Sequence, residues 1–150
     1  MKSLLSAVIA ALFVTGAQAQ TLAEQEGPLV IVQAVDADLS EFVWKNRPVL
    51  VFADSKDDPA FIEQLALLSK RADDLALRDV VVIVDTDPAA RSAVRLKLRP
   101  RGFMLALIGK DGGVKLRKPF PWDVREITRS IDKMPMRQRE IREAKDAAEG

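Results

Sequence analysis

At 150 residues the chain allows one domain and leaves no room for a second independent core. It is 48% apolar and 30% charged, a globular balance that argues against a fully disordered chain. Cysteine and histidine are both absent, so the sequence alone cannot build a disulfide, a thiol nucleophile, an iron–sulfur cluster, a Cys/His zinc site or a Ser-His-Asp triad. It points to no cofactor.

Residues 1–19 read as a signal peptide. Lys2 supplies a positive start, Leu4 to Val14 is an apolar run interrupted only by Ser6, and Ala17-Gln18-Ala19 gives the small-x-small cleavage pattern before Gln20. The run is shorter than the about 20 residues that span a bilayer, and no other segment approaches that length. An uncleaved anchor is the alternative. No cysteine follows the cleavage site, which excludes a lipid anchor there. The expectation is an exported protein, periplasmic or secreted after cleavage near Ala19, with no membrane span and reliant on its core instead of disulfides.

Without Lys2 the chain carries 22 basic and 22 acidic residues, but unevenly. Asp36 to Asp87 holds 12 acidic against 6 basic; Arg91 to Arg129 holds 11 basic against 3 acidic. That split predicts a dipolar molecule. Nucleic acid is not an expected partner, because export removes the opportunity and two Trp and six Phe are the only aromatics.

In chain order, residues 20–37 form a polar lead-in and a first strand, with Leu29-Val30-Ile31-Val32 opened by Pro28. The core is expected over residues 38–134. Asp38 suits an N-cap with Glu41 three residues on, and Leu39, Phe42 and Val43 give a short helix one apolar side; Arg47-Pro48 breaks it. Val49 to Ala53 is continuous and apolar, as in a strand covered on both faces. Asp58-Pro59 starts a helix, and Phe61, Leu65, Leu68, Ala72 and Leu75 recur at spacings of 4, 3, 4 and 3, one stripe through about Leu77. Val80 to Val84 is a buried strand, and Asp87-Pro88 repeats the helix start for a short helix over Ala89 to Leu96.

Phe103 to Ile108 is a further apolar strand. Lys110-Asp111-Gly112-Gly113 suits a tight turn, and Val114 to Lys118 returns antiparallel. Trp122, Val124, Ile127, Ile131 and Met134 stripe a last core helix. Residues 135–150 are a charged tail with helical potential, expected to fray, with Met136 and Ile141 as its main apolar anchors.

Helices between strands demand parallel pairing, and the closing hairpin adds antiparallel strands. The segments Phe42-Val43-Trp44-Lys45-Asn46-Arg47-Pro48-Val49-Leu50-Val51-Phe52-Ala53 and Ile108-Gly109-Lys110-Asp111-Gly112-Gly113-Val114-Lys115-Leu116-Arg117, with Asp132-Lys133-Met134-Pro135-Met136-Arg137, resemble the bacterial family called domain of unknown function 4174. The resemblance runs from about Asp38 to Arg142. Relatives of this domain occur in vertebrate extracellular sushi-repeat proteins. The resemblance implies an α/β thioredoxin-like fold, a five-stranded mixed sheet with helices on both faces, and export. It names no reaction, and the strand order comes from that known fold.

In a thioredoxin the redox Cys-x-x-Cys lies where the strand ending near Ala53 meets the helix beginning near Pro59; here the loop reads Asp54-Ser55-Lys56-Asp57-Asp58. It holds no thiolate for disulfide exchange or peroxide reduction. Ser55 and Lys56 are adjacent on a loop and need not face each other as a nucleophile pair. Asp57 and Asp58 occupy the positive end of the helix, which disfavours an anion there.

Parallel strands ending at Ala53 and Val84, with an antiparallel one starting near Phe103, should gather Asp54, Ser55, Asp57, Asp58, Asp85 and Asp87 at one sheet edge opposite Arg99 and Arg101. Ligands of open α/β sheets favour that edge. Capping and salt bridging compete with a peptide, glycan or calcium site as explanations, and no EF-hand order is present. Lys110, Lys115, Arg117 and Lys118 make the closing hairpin basic, either to block edge aggregation or to dock an anionic partner. Trp44 and Trp122 suit core or rim positions. The reading is an exported non-catalytic binding or scaffold domain for a protein or anionic envelope component, without thiol redox activity. The rival is a hydrolase or transferase run by carboxylates at the acidic edge.

Overall fold

The computed structural model describes residues 29–150; the expected signal peptide and residues 20–28 of the lead-in lie outside the described residues. Five strands, β1 (Val30–Gln33), β2 (Arg47–Phe52), β3 (Val80–Asp85), β4 (Met104–Ile108) and β5 (Val114–Lys118), form one sheet in the order β1-β3-β2-β4-β5. β3 pairs parallel with both β1 and β2, whereas β4 pairs antiparallel with β2 and β5. This is the mixed sheet expected from the sequence.

Every residue of β2, β3 and β4 is buried, which is why these strands read as unbroken apolar runs. Their alternation divides two cores. Val49, Val51, Val82 and Leu105 pack with Phe61, Leu68, Leu75, Ile127 and Ile131, from α1 (Pro59–Lys70), α2 (Ala72–Ala76) and α4 (Val124–Asp132). Leu50, Phe52, Ile83 and Ala106 pack on the other face with Val94 and Leu98 of α3 (Ala93–Leu98) and with Ala34 and Ala37. A one-residue slip in the Leu50↔Ile83 register would exchange the two cores, so burial on both faces fixes the pairing.

Four local expectations need correction. The helix at Asp38 is a 3-10 turn, Leu39–Phe42, in which the Asp38 carboxylate accepts from the Ser40 N–H. The long stripe from Phe61 breaks at Arg71, whose backbone leaves the helix (φ −126°, ψ 40°) and whose side chain bonds Asp74 at 2.7 Å; Leu68 and Leu75 stay in one core because α2 resumes in phase. The Asp87-Pro88 start yields only the 3-10 turn Pro88–Ala90, because Arg91 turns left-handed (φ 48°) and Ser92 caps a new helix, α3. Arg47 and Pro48 open β2.

The segment Pro135–Glu149 forms α5, which has no buried residue. In the hairpin turn, Gly112 adopts φ 82°, which favours glycine, while the Gly109 N–H donates to the Gly113 carbonyl at 2.9 Å.

Candidate functional site

Two regions carry the charged side chains singled out in the sequence. The first is the acidic edge where β2 and β3 end. Asp58 caps α1 by accepting from the Ala60 N–H at 2.8 Å, and Asp87 caps its turn by accepting from the Ala89 N–H at 3.1 Å. The Ser55 hydroxyl oxygen accepts from the Asp57 N–H. Asp54 and Asp57 are exposed.

Asp85 differs from its neighbours. It is buried, accepts from the Ser92 hydroxyl, and receives Arg95 Nη2 at 2.8 Å and Nε at 3.1 Å. Arg95 also donates to the Ala53 carbonyl at 2.9 Å, stands 3.9 Å from Asp54 and lies 5.6 Å from the Phe52 ring centroid. Burial would raise the Asp85 carboxyl, but the bonds from Arg95 and Ser92, with the charge of Arg95, hold it below the usual carboxylate range.

Arg95 therefore fills the place expected for Arg99 and Arg101. It lies in a segment read only as a short helix over Ala89 to Leu96, and its spacing of ten from Asp85 matches no local motif. Arg99 caps α3 in a left-handed conformation (φ 51°), and Arg101 is exposed. With Arg117 and Lys118 they border a separate recess of about 250 Å³ over Phe103 and Met104.

The second region is the hairpin, whose four basic residues do not form one patch. Arg117 pairs with Ala106, on the α3 face, and donates to the Leu98 carbonyl. Lys118 pairs with Leu105, on the α4 face, where its Nζ lies 4.7 Å from the Trp122 ring centroid. Lys115 bonds Asp111 at 2.8 Å, a contact that lowers the Asp111 carboxyl. Lys110 is mostly enclosed and bonds Asp79 and Glu140, each at 2.7 Å.

Lys110 belongs to a network that joins α5 to the sheet. Arg47, fully buried in β2, reaches Glu140 with both terminal nitrogens, at 3.2 and 3.0 Å, and donates to the Arg78 carbonyl; its Nε has no hydrogen-bond partner. Arg78 grips Asp132 with two bonds of 2.9 Å, and Arg137 bridges Asp132 and Glu140. Burial opposes ionisation of Glu140, yet Arg47 and Lys110 bring its carboxyl down to about 2. Sequence reasoning missed this network, because a lone Arg before Pro48 carries no local signal of a partner 93 residues away.

Between the hairpin, the end of α4 and the start of α5 lies an open groove of about 740 Å³. Leu116, Trp122, Met134 and Met136 supply its apolar surface, and five basic side chains line it against one carboxylate, Asp111. Trp122 is fixed there by buried Gln64, whose amide oxygen accepts from the Trp122 N–H at 2.7 Å and whose amide nitrogen donates to its carbonyl at 3.0 Å. Trp44 is elsewhere, exposed and left-handed (φ 65°), its N–H donating to the Lys110 carbonyl at 2.7 Å. No described helix is long and apolar enough to cross a membrane, and among the described residues no cluster of three or more His, Cys, Asp or Glu could hold a metal ion.

The sheet order and helix placement define the thioredoxin-like class. Solved structures of that class superpose on the chain. The reduced 2-Cys peroxiredoxin of Plasmodium vivax gives a TM-score of 0.57 at 14% identity, covering 69% of this chain and 85% of that one. Chloroplastic thioredoxin z gives 0.53 at 18% identity, covering 70% and 96%. At such identities the likeness is one of fold. The chain belongs to the family described as Domain of unknown function (DUF4174), matched over residues 38–140. Coiled-coil domain-containing protein 80 of Danio rerio is 28% identical over 133 residues, covering 69% of this chain; the chain spans 15% of that relative's length.

Proposed function

We propose that the chain is an exported, non-catalytic binding domain without thiol redox activity, and that its groove takes an anionic protein or envelope component. The observation that carries this reading is the groove, where Lys118 and Lys133 stand without an ion pair among the described residues beside the apolar surface of Leu116, Trp122, Met134 and Met136, while Arg47, Lys110 and Lys115 are engaged by Glu140, Asp79 and Asp111. Opposite charge steers an anionic partner to such a surface, and the apolar lining rewards its burial. Disulfide exchange needs a sulfur nucleophile, which the sequence does not supply. Carboxylate catalysis at the acidic edge is the weaker reading. A paired-carboxylate mechanism needs one protonated acid, whereas the buried carboxyl there, Asp85, is held ionised by Arg95 and enclosed.

The test is a titration of the purified chain with short polyglutamate, followed by tryptophan fluorescence and repeated across salt concentrations. Saturable binding that weakens with salt and is reduced in Lys118→Glu and Lys133→Glu is expected. Equal signals in those variants would overturn the groove as the site. Sustained insulin reduction or peroxide consumption by cofactor-free protein would overturn its non-redox character. Export rests on the cleavage pattern Ala17-Gln18-Ala19, and intact mass of the extracytoplasmic protein should begin at Gln20. A mass that retains Lys2 would remove it.

A further inference from the structure

The sheet ends at β5, which pairs with β4 alone, so the backbone groups of Val114–Lys118 that face away from β4 meet no further strand among the described residues. An open edge of this kind is a template for another chain. Three of its five residues are basic, Lys115, Arg117 and Lys118. Two copies of β5 laid together would set cations against cations, which disfavours self-pairing and favours an acidic strand.

The groove lies along the α4 face of this edge. Leu116 and Lys118 pair with Leu107 and Leu105, whose side chains belong to the core under α4, while Arg117 points to the opposite face. A strand added to β5 would send alternate side chains toward Leu116, Trp122 and Met134 and the intervening ones toward the other face. Lys118 at the strand end and exposed Lys133 at the α4 C-cap stand at the groove with no ion pair among the described residues. Lys110 and Arg47, already engaged by Glu140, are not needed.

We infer that β5 and the adjoining groove bind an extended acidic peptide by strand addition, its groove-facing side chains apolar over Leu116, Trp122 and Met134 and acidic beside Lys118 and Lys133, and its intervening carboxylates on the side of Arg117. The mode joins main-chain hydrogen bonds for affinity with side-chain pockets at every second residue for specificity. The inference rests on the groove as the binding site and narrows its occupant from any anion to an acidic strand.

The probe is a capped synthetic peptide of about eight residues, with Glu at every second position and Val and Glu in turn at the intervening, groove-facing ones, compared by calorimetry with three others: the same peptide N-methylated at alternate residues, its Lys-Val counterpart, and a sulfated oligosaccharide. The Glu-Val peptide should bind at least about tenfold tighter than the N-methylated and Lys-Val forms. It should also slow amide exchange within residues 114–118 and lose about tenfold in the Lys118→Glu/Lys133→Glu double variant. Equal binding of the N-methylated peptide, or oligosaccharide binding with unchanged exchange in 114–118, would overturn strand addition while leaving an anion-binding groove. Failure of every anion, polyglutamate included, would overturn both.

Discussion

The acidic edge and the α5 network are both built from buried arginines facing carboxylates, yet they hold the molecule in different ways. At the acidic edge the pair is closed. Arg95 and Asp85 are 10% and 4% exposed at their side chains, ten residues apart, and tied to Ser92 and two backbone carbonyls. At the other region Arg47 is enclosed but its partner Glu140 is 23% exposed, on a helix with no buried residue. The first arrangement ties α3, whose Val94 and Leu98 are buried in the core, to the end of β3. The second ties α5, a helix with no buried residue, to β2 and to the hairpin that borders the groove.

The comparison can be broken by substitution. Asp85→Ala should have the largest effect. It leaves the Arg95 charge buried without its carboxylate, a change that costs about 3–5 kcal/mol. Urea melts should show this as a loss of the whole cooperative transition, with α5 and the sheet unfolding together. A cost below that of Glu140→Ala would show that the closed pair is not the stronger one.

Glu140→Gln comes next, at about 1.5–3 kcal/mol near neutral pH, because the partly exposed amide keeps an acceptor oxygen for Arg47 while the charge is lost, and its effect should be local. Amide exchange should speed across Pro135–Glu149 while β2, β3 and β4 stay protected. The same residue sets a pH dependence. Its carboxyl titrates at about 2 in the folded chain against 4.5 ordinarily, so the unfolded chain takes up the proton first. The stabilisation is therefore complete above about pH 4.5 and is lost as pH falls toward 2. Melts at pH 6 and pH 3 should converge for Glu140→Gln more than for the wild type. An unchanged difference would remove Glu140 as the titrating group; Asp85 and Asp132, also held below the usual range, would then carry it.

The contrast between the two regions also explains what the sequence makes legible. Asp58-Pro59 and the β-branched runs encode structure within a few residues, through a missing N–H, a side-chain acceptor or a repeat of burial. The strands and the start of α1 follow from them. The breaks at Arg71 and Arg91 are not legible, because apolar spacing continues across them while a side-chain bond to Asp74 and a Ser92 cap redirect the backbone. Of the acidic edge, the approach of Asp54 and Asp85, both within reach of Arg95 at the ends of β2 and β3, follows from topology, but the identity of the arginine does not. Arg47, Glu140 and Gln64 are invisible to local reasoning, since each is explained only by a residue that the fold brings from 58 or 93 positions away. The groove inherits that difficulty, as its walls come from the hairpin and from two helices.

A smaller effect separates capping from charge at the acidic edge. Asp58→Ala should cost about 1 kcal/mol, because the Ala60 N–H loses its acceptor. Asp58→Asn or Asp58→Ser keeps the cap and should stay close to the wild type in urea. If Asp58→Asn costs as much as Asp58→Ala, the carboxylate charge itself holds that turn, and the edge is more tightly coupled than its hydrogen bonds indicate.

The smallest expected effect is the most direct test of which region binds. Asp57 and Arg101 are exposed, and neither forms an ion pair among the described residues. Asp57→Asn and Arg101→Ala should therefore each change stability by no more than about 0.5 kcal/mol. Both lie away from the groove lining, so polyglutamate titrations should also be unchanged. Salt dependence gives a second readout: removing a cation that contacts the ligand flattens the slope, whereas removing a remote one shifts the curve only within a Debye length, about 10 Å at 0.1 M salt. Lys133→Glu, at a residue that lines the groove and not the recess, should flatten it and Arg101→Ala should not. A flattened slope in Arg101→Ala, with Lys133→Glu left like the wild type, would move the binding site from the groove to the recess bordered by Arg99 and Arg101.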